Sequence, residues 1–372
     1  MKRQPKHLSG VRPRRRQCGL SMIELMVAMT IGAVLLFGAT QVYVNSQKSY
    51  GVNETVARLQ ENARYAMSIL EPDIRMSGYW GLLKVDAVVG QTAQTLPPGA
   101  VAAGPDANYC GNNFAIDVST SIQGDNDGYV LSATRTGNCD ALPDITTGVA
   151  WATTPVTTAD TLTIRRASTV ALALPGGGVA NQLQICSSRV AAVLVSDGSG
   201  CGAAVPPAVQ LANLIVNAYY IDQNSTQQAG LPSLRRKTLT SAGGKVVFRD
   251  QEVMAGVEDM QVQFGIDPTG VTGVAQRYVD PNAVPALSQV VAVRIWLLVR
   301  GDQPETGFTD NNIYQYGNRL QATGVTGNLN SAAGAGMAYQ PSSNANAAFN
   351  GPQHVRRILI SRTIQIRNAL GT

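Results

Sequence analysis

The fold of this chain is decided near its start, by Arg14-Arg15-Arg16-Gln17-Cys18-Gly19-Leu20-Ser21-Met22-Ile23-Glu24-Leu25. Seven basic residues and no acidic residue precede Gly19, and after Glu24 no charged residue follows until Lys48. An apolar run of this length is typical of a membrane-spanning helix, and its basic flank is expected to stay in the cytoplasm. The stretch therefore predicts an inner-membrane protein with a single span and with its C-terminal part in the periplasm.

Glu24 is an acidic residue inside an apolar segment, where a carboxylate costs at least a few kcal/mol without a partner. Cleavage after Gly19 would supply one, because the new amine of Leu20 and the positive end of the helix dipole lie within one turn. The stretch resembles the type III signal of type IV prepilins, in which a basic leader ends in Gly and Glu stands at the fifth mature position. This resemblance implies removal of residues 1–19, methylation of Leu20 and an assembly role for Glu24.

Two alternatives remain for this stretch. A secretory signal has a small-residue cleavage site after its apolar region, and Phe37-Gly38-Ala39 fits such a site poorly. The other alternative is an uncleaved membrane anchor.

The composition limits the function of the remaining chain. The 372 residues allow one elongated unit or two lobes. The formal charge is +5 and the leader contributes +7, so the chain from Leu20 carries 5 − 7 = −2. Nucleic-acid binding thereby loses its main support. Charged residues are only 14% of the chain, which is typical of an extracytoplasmic β-rich domain.

Four cysteines remain after removal of Cys18, namely Cys110, Cys139, Cys186 and Cys201. An even number fits disulfide bonding in an oxidising compartment. Three connectivities are possible, and pairing of nearest neighbours closes the shortest loops, each bridge contributing about 3 to 4 kcal/mol. A zinc site is the alternative, but the chain has no C-x-x-C pair.

The helical signal continues beyond the apolar run. Apolar residues recur at helical spacing and form one stripe, made of Val52, Val56, Leu59, Ala63, Ala66 and Leu70. The sequence thus predicts a helix with a membrane part, residues 20–47, and an amphipathic part, residues 48–76. Because Pro72 cannot donate a backbone hydrogen bond, we expect a kink or an end near Ile69 to Glu71.

A second resemblance follows from five runs of sequence, at residues 59–67, 73–81, 256–265, 291–300 and 356–368. The first contains Leu-Gln-Glu-Asn-Ala-Arg and the second begins with Asp-Ile-Arg. Together they resemble the PilW family of type IV pilus minor pilins. The resemblance is weak over residues 85–210, and Pro72 departs from the family pattern.

From residue 77 onward the pattern is that of strands and loops. Short β-rich runs cover Tyr129 to Arg135, Asp160 to Arg166, Leu183 to Cys186 and Val190 to Ser196, and clearer strands cover Leu214 to Asp222, Lys245 to Glu252, Met260 to Ile266, Val290 to Val299 and Arg357 to Ile366. Alternating apolar faces in the strands at 260–266 and 290–299 should meet the helix stripe. We predict an α+β fold, a long N-terminal helix packed on an antiparallel β-rich periplasmic domain spanning 77–372. Residues 301–353, rich in Gly, Asn and Ala, are predicted to form a long flexible excursion.

Catalytic and metal-binding motifs are poorly supported, and we predict no enzyme and no cofactor. After processing, His354 is the one histidine left, and an isolated residue beside a strand is weak evidence for catalysis. Residues 124–128 have some likeness to a calcium loop, but ligands are missing and a hairpin turn fits better, so that a calcium contact stays open. The glycines at 176–178 lack the Lys of a phosphate loop.

Basic pairs stand at Arg165-Arg166, Arg235-Arg236-Lys237 and Arg356-Arg357. On strands such pairs form a solvated face or meet neighbouring carboxylates. Contact with nucleic acid would require convergence with exposed aromatic residues, so direct binding is not expected.

The resemblances imply a minor pilin that helps to prime pilus assembly or occupies the tip, in support of twitching motility, adhesion or DNA uptake. They imply as partners other minor and major pilins, the prepilin peptidase, the inner-membrane assembly machinery and membrane lipid. A type II secretion pseudopilin is the nearest alternative. A membrane-tethered periplasmic adhesin or enzyme is another.

Overall fold

A computed structural model describes residues 19, 21–83, 116–118, 120–129, 154–156, 158–174, 182–196, 201, 209–242, 245–285, 289–319, 339, 341 and 352–369. The chain divides into two compact units, residues 1–54 and 55–372.

Helix α1 spans Met22–Arg75 and contributes residues to both units. The predicted stripe is present, because Leu59, Ala63, Ala66 and Leu70 are buried while Val56 is half-buried. The first part of α1 is exposed and apolar, and its second part is amphipathic. The stripe predicted from the sequence is thus observed, whereas the membrane part at residues 20–47 and the boundary at residue 48 stay predictions.

Pro72 does not end the helix near Ile69 to Glu71, so the expectation of an end there is wrong. The N–H of Met76 donates to the carbonyl oxygen of Pro72 at 3.1 Å, which closes the last turn. A proline removes one backbone donor, whereas Asp73 and Ile74 in this turn are buried in the domain. Tertiary contacts of the last turn thus outweigh the local preference of Pro72.

Within the described part of the chain, eleven strands follow the helix: β1 (Ile122–Asp125), β2 (Thr161–Leu172), β3 (Gln184–Ser187), β4 (Ala192–Val195), β5 (Gln210–Asp222), β6 (Ser233–Ala242), β7 (Lys245–Ala255), β8 (Val257–Asp267), β9 (Arg277–Val279), β10 (Gln289–Arg300) and β11 (Arg357–Gln365). Seven form one sheet in the order β1-β2-β5-β3-β4, with β6 beside β5 and β7 beside β6. Four form a second sheet in the order β11-β10-β8-β9. The described strands pair in antiparallel fashion throughout, so the predicted α+β class is confirmed.

Strand β6 was not predicted from the sequence, and its buried charged residues explain why. Its sequence carries Arg235 and Lys237 at positions that are buried, because both side chains lie near the buried carboxylate of Asp250 on β7. A pattern based on apolar residues does not detect such a strand. Strands β1 and β9, also missed, have only 4 and 3 residues. The strand predicted from Tyr129 to Arg135 lies, after Tyr129, outside the described residues.

The main core lies between the domain part of α1 and both sheets. It contains Leu59, Met67, Leu70 and Ile74 of the helix. The sheets contribute Leu162, Ile164, Tyr219, Ile221, Met260, Val262, Phe264, Ile266, Val291, Val293, Ile295, Leu297 and Val299. The alternating faces predicted for β8 and β10 therefore do meet the helix stripe. A second core, around Trp80 and Phe248, covers the other face of the seven-stranded sheet.

Gly256 is the single residue between β7 and β8, where the chain passes from one sheet to the other. Its φ is +84°, a conformation that favours glycine. A Cβ here would also lie 2.8 Å from the carbonyl oxygen of Arg300. The Arg300 N–H donates to Gly256 at 2.8 Å, so the turn is fixed against β10.

The segment after β10 is not apolar, and much of residues 301–319 is exposed, yet a few of its side chains are buried in the domain. Tyr316 and Arg319 are buried, and Tyr314 pairs with Tyr339 in an isolated bridge. Buried polar contacts hold this part of the segment, and the sequence pattern gave no sign of them. The flexibility predicted for 301–353 stays a prediction.

Candidate functional site: the anchor helix and its supporting domain

The residues of the prepilin-type signal stand at the start of α1. Gly19 is exposed, and a Cβ built on it would meet nothing within 4 Å. Leu20 lies outside the described residues. Glu24 stands exposed in the first turn of α1, and no hydrogen bond or ion pair joins it to any described residue. Its carboxylate is therefore available to a partner outside the described chain.

The surface after Glu24 is apolar on every side of the helix. The large apolar side chains exposed here are Met22, Ile23, Leu25, Met26, Val27, Met29, Ile31, Val34, Leu35, Leu36, Phe37, Val42, Tyr43 and Val44. The helix is long and apolar enough to cross a membrane. In water such a surface is unstable, and it suits lipid or the apolar helices of other subunits. This part of the chain is therefore suited to anchoring in a membrane.

Asp73 fixes the other end of α1 to the seven-stranded sheet. Its carboxylate accepts hydrogen bonds from Arg166 Nε at 2.7 Å, from Asn217 Nδ2 at 2.6 Å and from the Tyr219 hydroxyl at 2.8 Å. Burial and the neighbouring Asp73 carboxylate raise the pKa of Tyr219 above its usual value, so the tyrosine stays a donor. The Asp-Ile-Arg run that contributed to the family resemblance thus holds the helix in place.

The run at 256–265 has a similar structural role. Glu258 accepts a hydrogen bond from Arg357 Nε at 2.6 Å and lies 3.5 Å from Arg300 Nη1. Asp259 accepts hydrogen bonds from the Tyr316 hydroxyl at 2.7 Å and from Arg319 Nε at 3.2 Å. Alternate residues of this run lie in the main core. The run therefore ties the segment after β10 and the last strand to the sheet.

A cluster of buried charges near Asp160 was missed by sequence reasoning. Asp160 accepts hydrogen bonds from the backbone N–H groups of Asp127 at 2.9 Å and Val262 at 2.7 Å, and so joins the two sheets. Burial raises the pKa of Asp160 well above its usual value, although these N–H groups oppose the shift. Arg319 lies 3.1 Å from Asp127 and neutralises part of the charge. These residues are 33 to 192 positions apart, so no local pattern could reveal them.

The basic pairs meet carboxylates or backbone oxygens. Arg166 pairs with Asp73, Arg356 pairs with Glu305 and Arg357 pairs with Glu258. Arg235 and Lys237 lie near Asp250, at 2.6 Å and 3.8 Å. Arg236 is the exception, because it donates to the side-chain amide oxygen of Gln251.

Of the four cysteines, Cys186 and Cys201 form a disulfide with a Cα–Cα distance of 5.5 Å. It joins β3 to the chain before β5 and packs with Val195 and Leu211. Cys110 and Cys139 lie outside the described residues, so their pairing stays a prediction.

The described residues that bear on catalysis and metal binding are those around one cavity, His354 and the acidic side chains. A cavity of about 460 Å³ near Ser77, Gln123 and Asn368 is lined by residues without an acid, a base or a thiol. His354 donates from Nδ1 to the carbonyl oxygen of Phe308 at 2.7 Å. No group of three or more His, Cys, Asp or Glu residues in the described part could hold a metal ion. Residues 126–128 form a turn after β1, and the partner strand of the predicted hairpin lies outside the described residues.

Comparison with known proteins adds to this geometry. Residues 218–368 match the family model described as Type IV Pilus-assembly protein W, and residues 14–40 match the Prokaryotic N-terminal methylation motif. A solved type IV-like pilin from Thermus thermophilus matches at 11% identity over 84% of this chain and 97% of its own, with a TM-score of 0.31. No curated protein matches the chain.

The resemblance drawn from the sequence is thus confirmed at both ends, although the runs at 59–67 and 73–81 lie outside the matched regions. Residues 218–368 are thus similar to the family described as Type IV Pilus-assembly protein W, and residues 14–40 carry the Prokaryotic N-terminal methylation motif, which relates the chain to the type IV pilus.

Proposed function

We propose that this chain is a minor pilin of the type IV pilus, a structural subunit that helps to prime assembly or occupies the tip. The observation that carries the proposal is the state of α1: one half is packed in the domain, while the other presents an apolar surface and an unpartnered Glu24. Such a helix is suited to packing beside equivalent helices in a filament. The PilW-type match favours the pilus over a type II secretion system.

In this proposal the prepilin peptidase cuts between Gly19 and Leu20, and the new amine of Leu20 is methylated. The absence of a side chain at Gly19 suits close approach of its backbone to a peptidase active site. The basic leader stays in the cytoplasm and the β-rich domain lies in the periplasm. The disulfide between Cys186 and Cys201 is in accord with that compartment.

Glu24 is the proposed assembly residue. Its carboxylate pairs with its own Leu20 amine in the bilayer and with the amine of a neighbouring subunit in the filament. Such a buried pair sets the register between two helices more reliably than it adds stability. Other minor and major pilins are therefore the partners of this helix. The lining of the described cavity supports a structural rather than an enzymatic role.

The test expresses Glu24→Ala in a strain that lacks the native copy. Membrane level, cleavage and surface pili are then measured separately. We expect normal insertion, because removing the carboxylate lowers the cost of burial, together with few surface pili. Glu61→Ala is the matched control, since Glu61 is exposed in the domain half of the same helix. Normal piliation of Glu24→Ala would contradict the proposal.

Processing is measured in the same strain by mass spectrometry of the membrane-extracted protein. A methylated Leu20 at the N-terminus is expected. An N-terminus at Met1, or one beyond Ala39, would reject the prepilin interpretation.

A further inference from the structure

A polar groove lies on the β6–β7 hairpin, in a volume of about 410 Å³. Its wall is formed by Arg236, Thr238, Arg249 and Gln251, with Thr240 further along β6. The register places Arg236 opposite Gln251 and Thr238 opposite Arg249, so these four side chains share one face of the sheet. The opposite face carries Arg235 and Lys237, which are buried. The groove is therefore a separate feature from the buried charge cluster at Asp250.

The groove contains positive charge that no described carboxylate neutralises. Arg236 donates from Nη2 to Gln251 Oε1 at 2.9 Å, and it forms no ion pair with a described residue. Arg249 is half-buried and likewise has no ion pair in the described part of the chain. By contrast, Arg235, on the other face of the hairpin, is paired with Asp250 and Glu252.

Two buried polar atoms in the groove also have no partner. These are Arg236 Nε and Thr238 Oγ1, for which no hydrogen-bond partner is found. Guanidinium groups bind carboxylates with two parallel hydrogen bonds. Arg236 also lies beside the Tyr219 hydroxyl and opposes the rise in its pKa that burial causes. The positive charge of Arg236 and Arg249, which no described carboxylate pairs with, thus fits a carboxylate ligand.

The position of the groove indicates what kind of molecule carries the carboxylate. Among the described strands β7 pairs only with β6, which leaves the backbone groups along its other edge open. An extended segment laid along this edge would place every second side chain on the groove face. The groove has no aromatic residue on which a nucleic-acid base could stack.

We propose that the β6–β7 groove binds an extended acidic segment of a partner pilin, with carboxylates at alternate positions facing Arg249 and Arg236. The proposal rests on the proposed function, because the partner is taken to be a pilin. It adds a contact in the β-rich domain to the helix contacts at Glu24.

The test uses the processed full-length chain in detergent and a labelled probe peptide, acetyl-Thr-Glu-Thr-Glu-Thr-amide. Fluorescence anisotropy at low salt should show binding that weakens about tenfold or more when both glutamates are replaced by glutamine. Arg249→Gln and Arg236→Gln should weaken binding by a similar factor. Arg189→Gln, at an exposed arginine of the β3–β4 hairpin, is the control and should leave binding unchanged.

Equal binding of the two peptides, or no binding of either, would overturn the proposal without requiring any variant to fold. Competition by inorganic phosphate at the same concentration as the peptide would identify a small-anion site instead. Tighter binding of a single-stranded oligonucleotide, lost in Arg249→Gln, would assign the groove to nucleic acid. None of these outcomes affects the Glu24→Ala test, which concerns the membrane half of the helix.

Discussion

The two halves of α1 have the same backbone and opposite surroundings. In the membrane half, Leu36 is 71% exposed and Glu24 has no described partner. In the domain half, Leu70 is fully buried and Asp73 accepts three hydrogen bonds from other side chains. The side chains of the domain half have their contacts within the chain. Those of the other half have no described partner and suit contact with lipid or with other subunits.

This difference shows how a helix can serve folding and assembly with separate residues. Interactions satisfied inside the domain contribute to its free energy of unfolding. Interactions left open contribute only when a partner is present. Substitutions in the two halves should therefore separate into those that change domain stability and those that change assembly.

The largest effect is expected for Leu70→Ala. Removing a fully buried leucine leaves a cavity beneath the helix and should lower the free energy of unfolding of the domain by about 3 to 5 kcal/mol. Leu36→Ala is the matched control in the membrane half and should leave this free energy unchanged. Urea unfolding of the processed protein in detergent, followed by fluorescence of the buried Trp80, measures both. Equal losses in the two variants would break the comparison.

Two carboxylates of the helix, Asp73 and Glu24, allow a second comparison of its two halves. Asp73→Asn leaves Arg166 without its counter-charge in a largely buried site, and should lower the unfolding free energy by about 3 kcal/mol. Glu24→Gln should have no effect on domain unfolding. The same urea titration applies. If Asp73→Asn were as stable as the unmodified protein, the view that this residue holds the helix to the sheet would be wrong.

The disulfide lies near β3 and β4, in a smaller apolar cluster that contains no residue of α1. The Cys186–Cys201 bridge closes a loop with a sequence separation of 15, and replacing both cysteines by serine should lower the unfolding free energy by about 2 to 3 kcal/mol. Neither thiol should react with an alkylating reagent in the unreduced, denatured protein. Reactive thiols at both positions would reject the disulfide. Peptide mapping of the same sample also tests the predicted bridge between Cys110 and Cys139.

The sequence predicted the parts of this fold that depend on local periodicity. The stripe from Leu59 to Leu70 and the alternation in β8 and β10 are set by neighbouring positions, so they are visible without a structure. Pro72 misled because its local effect was outweighed by buried contacts of Asp73. Polar interactions between distant residues, such as Asp259 with Arg319, have no local pattern and could not be predicted.

In the candidate site, too, the sequence reveals what lies within one short segment and not what depends on the arrangement of strands. The spacing of Gly19, Leu20 and Glu24 identifies a prepilin-type signal, because its chemistry is confined to one short segment. The groove at Arg236 and Arg249 was not identifiable as a site. The sequence shows basic residues there, but only the strand register shows which arginines share a face and lack a carboxylate.

The smallest measurable loss of stability is expected for Asp267, because the hydrogen-bond partners of its carboxylate all lie in its own loop. Its carboxylate accepts five hydrogen bonds, from N–H and hydroxyl groups of Thr269 and Thr272 and from the N–H of Gly273. Burial opposes ionisation, but these donors lower the pKa of Asp267 below its usual value.

Because the pKa of Asp267 is lower in the folded than in the unfolded protein, its stabilising contribution is complete above the unfolded pKa, near about 4, and is lost as pH falls through the folded pKa. Asp267→Asn should therefore lower the melting temperature at pH 7, and the difference from the unmodified protein should shrink between about pH 5 and pH 2. Asp302→Asn, at an exposed carboxylate, is the control and should give a small difference that does not vary with pH. A difference for Asp267→Asn that stayed constant down to pH 2 would mean that the loop is held by shape rather than by the charge. The predicted effect on domain stability thus follows the partners of each carboxylate. It is absent for Glu24, which has no described partner, and large for Asp73, which has partners in the sheet. It is small for Asp267, whose partners lie only in its own loop.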